Sequence, residues 1–179
     1  MAGPAETLSA ALPDEVEREA ERLLHACCDA KLKLATAESC TGGLLASLLT
    51  DVEGASHAFE RGFVAYSEEA KCELLGIARE RIDACGAVSR EVAIAMAKGA
   101  MQGSHADIVL AVTGYAGAAP DGEEAGLVHL ACARRDGTID HRKMHFGDIG
   151  RGPIRIATIK VALNMMMEAV GAPTASATR

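Results

Sequence analysis

The hydrophobic positions of this chain change period several times, and each change marks an element. From Pro13 and Asp14 onward, Val16, Ala20, Leu23, Leu24 and Cys27 recur along one helical face with Glu and Arg between them, which predicts an amphipathic helix. Residues 32–37 read as a short strand, Leu44, Leu45, Leu48 and Leu49 open a second helix, and 51–56 is a loop. A strand at 59–66 contains Phe63, Val64 and Tyr66. Ser67 caps the helix after it, with Glu68 and Glu69 in the first turn, where the positive end of the helix dipole favours carboxylates. Residues 77–87 are helical and then irregular, and Ser89 caps a clearer helix to about Gln102. Residues 107–112 form a strongly apolar strand ending at Thr113-Gly114, and 127–133 with 138–146 form a hairpin across Arg135-Asp136-Gly137. Pro153 suits a first helical turn, and the last helix runs from there to about Val170.

Strands that alternate with helices and close on a hairpin predict a three-layer α/β/α sandwich with a mixed, mostly parallel central sheet. One domain over 13–171 accounts for the pattern, with 1–12 and 172–179 as frayed ends. The last helix carries Ile154, Ile156, Ile159, Val161, Leu163, Met165, Met166 and Met167 around most of its circumference. Such a helix is buried on more than one side, so a homo-oligomer is expected.

Composition narrows the function. Of the 179 residues 49% are hydrophobic, yet there is no Trp, two Tyr and three Phe, so the core is built from Ala, Leu, Val, Ile and Met. The 18 Lys+Arg stand against 25 Asp+Glu, a net charge of −7. An acidic body without a basic run excludes a broad nucleic-acid interface, while a local pocket for a small anion remains compatible. The six Cys form no Cys-x-x-Cys pair and read as reduced thiols, not as a disulfide framework or metal site. No apolar stretch approaches the ~20 residues that cross a bilayer, and the first residues lack the basic-then-apolar order of a secretory signal. A cytoplasmic location with no membrane contact is expected.

Ligands of such sheets sit beyond the carboxyl ends of the strands, where three polar turns fall: after Ala37, after Tyr66 and after Val112. The first is Glu38-Ser39-Cys40-Thr41-Gly42-Gly43. Its glycines let the backbone approach a ligand closely, and the following helix start offers N–H donors for a phosphate or an oxyanion. The spacing and lysine of a P-loop are absent; capping and tight turning are the plain alternative. Ser39 needs a base to act as a nucleophile. The six His are scattered without a Ser-His-Asp pattern, and His141 and His145, four apart along a strand, are too distant to share one metal. Lys71 lies one turn into the helix that Ser67 opens. Drawn out of water, a lysine loses enough basicity to serve as a base, and Tyr66 is placed to share its pocket; the plain alternative is a solvated helix-face lysine. Cys40 is a second candidate nucleophile without an obvious base. Thr113, Gly114 and Gly117 bring a hydroxyl and flexible backbone to the third turn.

Taken together, 37–43, 64–71, 86–89 and 112–114 resemble the CinA C-terminal domain family over roughly residues 15–170, in its stand-alone form. That resemblance implies an amidohydrolase that converts nicotinamide mononucleotide to nicotinate mononucleotide and ammonia, with no metal or organic cofactor. Carried over position by position, it implies Ser39 as nucleophile and Lys71 as base. Tyr66 and Thr113 support them, and Cys40, Thr41, Gly42, Gly43, Gly114, Gly117, Arg151 and Arg155 bind substrate. The arginines would supply donors to its phosphate. Two stretches depart from the family pattern: 118–126, which follows an unusual Tyr115, and Ile149-Gly150, which open a Gly-Asp-Arg run. Both bear on substrate preference. A nucleotide-binding regulatory module, or an amidase or esterase for another small molecule, are the competing readings.

Overall fold

The computed structural model describes residues 12–55 and 57–172; the ends expected to fray lie almost wholly outside them. In chain order the elements are α1 (Asp14–Ala30), β1 (Leu34–Glu38), α2 (Leu44–Thr50), β2 (Phe59–Val64), α3 (Glu68–Leu75) and α4 (Arg79–Cys85). They continue with α5 (Arg90–Gln102), β3 (Ile108–Gly114), β4 (Leu127–Arg134), β5 (Ile139–His145) and α6 (Arg151–Gly171). The sheet order is β2-β1-β3-β4-β5. β1 runs parallel to both β2 and β3, whereas β4 and β5 form the antiparallel hairpin. The expected α/β/α sandwich with a mixed, mostly parallel core is present.

Period-two alternation sorts the sheet's side chains into two cores. Leu34, Ile108, Leu110, Val112, Val128, Leu130 and Cys132 pack with α1, α2 and α6. Ala35, Ala37, Val109, Ala111, Ala131 and Ala133 pack with α3, α4 and α5. The second face is mostly alanine, so its helices lie close. A Cβ on Gly99 of α5 would stand only 2.0 Å from the Leu75 carbonyl of α3, and that contact admits no side chain.

Boundaries differ from the sequence expectation where the backbone has other partners. β2 stops at Val64; the Ala65 amide still donates to the Glu38 carbonyl, but Ser67 has become the cap of α3, accepting from the Ala70 amide at 3.0 Å. β3 extends through Gly114, paired with Val128. The helix expected from Pro153 starts at Arg151, and Pro153 sits within its first turn, where no N–H partner is needed. α6 buries Ile154, Ile159, Leu163, Met165 and Met166 against the sheet and α1, while Ile156, Val161 and Met167 are half-buried on the same core. No described helix is long and apolar enough to cross a membrane.

From β1 the chain crosses to β2 on one side and returns to β3 on the other. The carboxyl ends of β1 and β3 therefore face a crevice at a topological switch point, the usual ligand position in open α/β sheets.

Candidate active site

Ser39 leaves the end of β1 at this switch point. Its amide donates to the Val112 carbonyl at 3.1 Å, which ties it to β3. The turn that follows has positive φ at Gly42 (62°) and Gly43 (90°), a region that favours glycine. On the other side of β1, α3 carries Lys71 back over the crevice, and its Nζ lies 3.0 Å from Ser39 Oγ. The same Nζ donates to the Tyr66 carbonyl oxygen at 3.0 Å. Lys71 is 2% exposed, so the solvated alternative does not hold. Loss of hydration holds its pKa below the ordinary lysine value, with Cys40 and Glu68 opposing, because a buried ammonium is disfavoured over the neutral amine.

The remaining candidates fall into distinct places. The Tyr66 ring is exposed at the rim, where its hydroxyl accepts from Arg151 Nη2 at 3.5 Å; it meets Lys71 through its backbone, not through the phenol. Thr113 is buried, but its hydroxyl donates to the Ala87 carbonyl at 2.8 Å and fastens the 86–89 loop to β3. Cys40 faces the α1–α2–α6 core. Burial pushes its thiol up to about 12, which removes it as a competing nucleophile. Gly114 serves the sheet, since a Cβ there would meet the Leu127 carbonyl and Val128 at 2.7 Å.

Arg151 and Arg155 reach the crevice from the first two turns of α6. A Cβ on Gly42 would lie 2.9 Å from Arg155 Nη2, and one on Gly117 would lie 3.3 Å from Arg151 Nη1. The guanidinium of Arg155 donates to the Thr41 carbonyl. Its Nε and the Thr41 hydroxyl are buried without a hydrogen-bond partner among the described residues, and unsatisfied groups of this kind are rare.

Glu38 is the residue that sequence reading missed. It is completely buried. Its Oε2 accepts from the Gly43 and Leu45 amides at 3.1 Å, and its Oε1 from the Ala46 amide at 2.8 Å and the Thr36 hydroxyl at 3.3 Å. The Gly42 and Leu44 amides bond back to the Ser39 and Thr41 carbonyls. Of the turn's amides, only those of Cys40 and Thr41 bond to no other residue among those described. The helix start expected to offer free donors is thus already filled from within. Among the described residues, no group of three or more His, Cys, Asp and Glu is arranged to hold a metal ion.

The fold and this crevice define a three-layer α/β/α domain with a serine–lysine pair at its switch point. Residues 16–170 match the family model described as the CinA C-terminal domain. The chain belongs to that family. It is 46% identical over 137 residues to a CinA-like protein of Geotalea uraniireducens, covering 74% of this chain and 32% of the relative. A competence/damage inducible protein CihA from Agrobacterium tumefaciens has a solved structure with 42% identity and a TM-score of 0.86, covering 91% of this chain and 99% of that one. A CinA superfamily protein from Escherichia coli superposes with 32% identity and a TM-score of 0.81, over 89% and 94% of the two chains. The chain spans about a third of the length of the curated relatives it matches.

Proposed function

We propose that this domain is an amidohydrolase that converts nicotinamide mononucleotide to nicotinate mononucleotide and ammonia. The observation that carries the reading is the 3.0 Å approach of the Lys71 amine to the Ser39 hydroxyl where the lysine is held out of water. A neutral amine donates one N–H to the Tyr66 carbonyl and turns its lone pair to the Ser39 O–H. Lys71 takes that proton as Ser39 Oγ bonds to the carboxamide carbon. The Cys40 and Thr41 amides are the turn's available donors for the oxyanion, and each such donor contributes about 3–4 kcal/mol in well-studied cases. Collapse breaks the C–N bond, and the Lys71 ammonium returns its proton to the departing ammonia. Water, deprotonated by the same amine, then hydrolyses the nicotinoyl ester and frees Ser39.

Arg151 and Arg155 take the substrate phosphate through their guanidinium Nη groups. Arginine suits this role because its planar fork matches phosphate oxygens. The test is ammonia release from nicotinamide mononucleotide by the wild type, Ser39→Ala and Lys71→Ala. Turnover lost in both variants supports the reading. Undiminished turnover in Ser39→Ala refutes the nucleophile, and ligand-induced melting shifts without product from the wild type favour a nucleotide-binding module instead.

A further inference from the structure

The chain leaves the sheet at Ser39 and is helical again by Leu44, and the two glycines between give that turn little stiffness of its own. It is clamped at both ends by one residue. At the entry, the Glu38 carbonyl accepts from the Ala65 amide at 2.8 Å, beside the bond from the Ser39 amide to Val112. At the exit, the Glu38 carboxylate gathers the Gly43, Leu45 and Ala46 amides. Between the clamps stand the Ser39 hydroxyl and the Cys40 and Thr41 amides, which bond to no other residue among those described.

A buried carboxylate is costly unless its oxygens are met by donors, and here the donors are the backbone that shapes the turn. We infer that Glu38 is the positioning residue of the site. Its carboxylate holds the Ser39 hydroxyl and the Cys40 and Thr41 amides in reacting geometry. By filling the amides of Gly43, Leu45 and Ala46, it also directs a substrate phosphate to Arg151 and Arg155 instead of into the glycine turn. The catalytic half of this inference rests on reading Ser39 as the nucleophile.

Two measurements on Glu38→Gln and Glu38→Ala test it. The first is the rate at which a small fluorophosphonate labels Ser39, followed by intact mass: the Oγ–P bond forms, fluoride leaves, and Lys71 takes the proton. The second is melting temperature with and without formate, which supplies a free carboxylate. In Glu38→Gln the new amide nitrogen faces backbone donors, the turn shifts, and labelling slows about 100-fold, the cost of a displacement near 1 Å. Glu38→Ala slows similarly. Formate restores its labelling to within about 10-fold of wild type on the same scale and raises its melting temperature, but not that of the wild type.

In the ammonia assay kcat falls in both variants, and KM rises in Glu38→Ala, where the freed Gly43, Leu45 and Ala46 amides compete with Arg151 and Arg155 for the substrate phosphate. Wild-type labelling in Glu38→Gln overturns the positioning role and leaves Ser39 as nucleophile. A wild type that does not label overturns the nucleophile instead, and the formate-dependent melting of Glu38→Ala still decides whether Glu38 holds the turn. Should Glu38→Ala fail to fold, the isosteric Gln variant decides the matter.

Discussion

Arg155 lies directly over Gly42, so close that a Cβ on the glycine would stand 2.9 Å from its Nη2. The backbone adds its own demand, since φ is +62° there, a conformation that costs an L-residue about 1–2 kcal/mol. Gly42 thus sets the depth at which the guanidinium rests on the turn. In Gly42→Ala, Arg155 is displaced from the crevice wall. The expected result is a KM for nicotinamide mononucleotide raised about 10-fold, the equivalent of ~1.4 kcal/mol of lost binding, with a smaller change in kcat. Steady-state kinetics checks this split.

Lys71 gives a pH signature with a fixed sign. Its pKa is lowered in the folded protein, first by desolvation, so the unfolded chain holds the proton more firmly. Stability therefore rises with pH through the window between the depressed folded pKa and the ordinary value near 10.5, and below that window the cost of the buried ammonium is fully present. Activity rises with pH over the lower part of the same window as the amine becomes neutral. Lys71→Met is expected to raise the melting temperature at pH 7 while lowering kcat/KM by roughly 10²–10⁴, the usual range for a lost general base. Melting curves at pH 7 and 10 and a pH–rate profile check both parts.

How much of this was legible in the sequence depends on whether a residue acts through its side chain or its backbone. Residues 32–37 were readable as a short strand, and Ser39 and Lys71 were readable as chemical types. Their meeting came from the family resemblance and not from spacing, because 32 positions separate them and the pairing of β1 with β2 and the packing of α3 on α5 close the gap. Tyr66 invited a role for its phenol, yet it is the carbonyl that holds Lys71, and any residue supplies a carbonyl. Glu38 left a faint mark: a carboxylate on the polar end of an apolar strand, followed within five residues by two glycines. Read as part of the turn's lining, it fills the donors that the turn was expected to offer.

His129 supplies a second pH effect, remote from Lys71. Its Nδ1 lies 3.0 Å from His141 Nε2, and it is nearly buried on the α5 face of β4. Burial first, then His141 and Lys143, pushes its pKa down to about 4. An unfolded histidine protonates near 6.5, so between these values the unfolded chain binds more protons and acid destabilises the fold. The loss begins below pH 6.5 and is complete below about 4, contributing up to about 2 kcal/mol by pH 5. Urea unfolding at pH 7 and pH 5 is expected to show a smaller difference for His129→Gln than for the wild type.

The contact between Gly99 and Leu75 links stability to the site itself. The Leu75 carbonyl is backbone and ends the helix that carries Lys71, so a Cβ placed 2.0 Å from it is not relieved by a rotamer change. Either α5 or α3 must move. Overpacking of this kind costs about 1–3 kcal/mol, which in a chain of this size lowers the melting temperature by roughly 2–4 °C per kcal/mol. Because α3 is the shorter helix and sits at the crevice, its displacement lengthens the Lys71–Ser39 approach, and labelling of Ser39 slows together with the fall in melting temperature. Gly103→Ala, at the C-cap of the same helix, is the control. Its Cβ would stand 3.3 Å from the Phe63 ring tip, which can yield, so both readouts are expected to stay near wild type. A Gly99→Ala variant that melts lower but labels at the wild-type rate would show that the α3–α5 contact supports the fold without setting the position of the lysine.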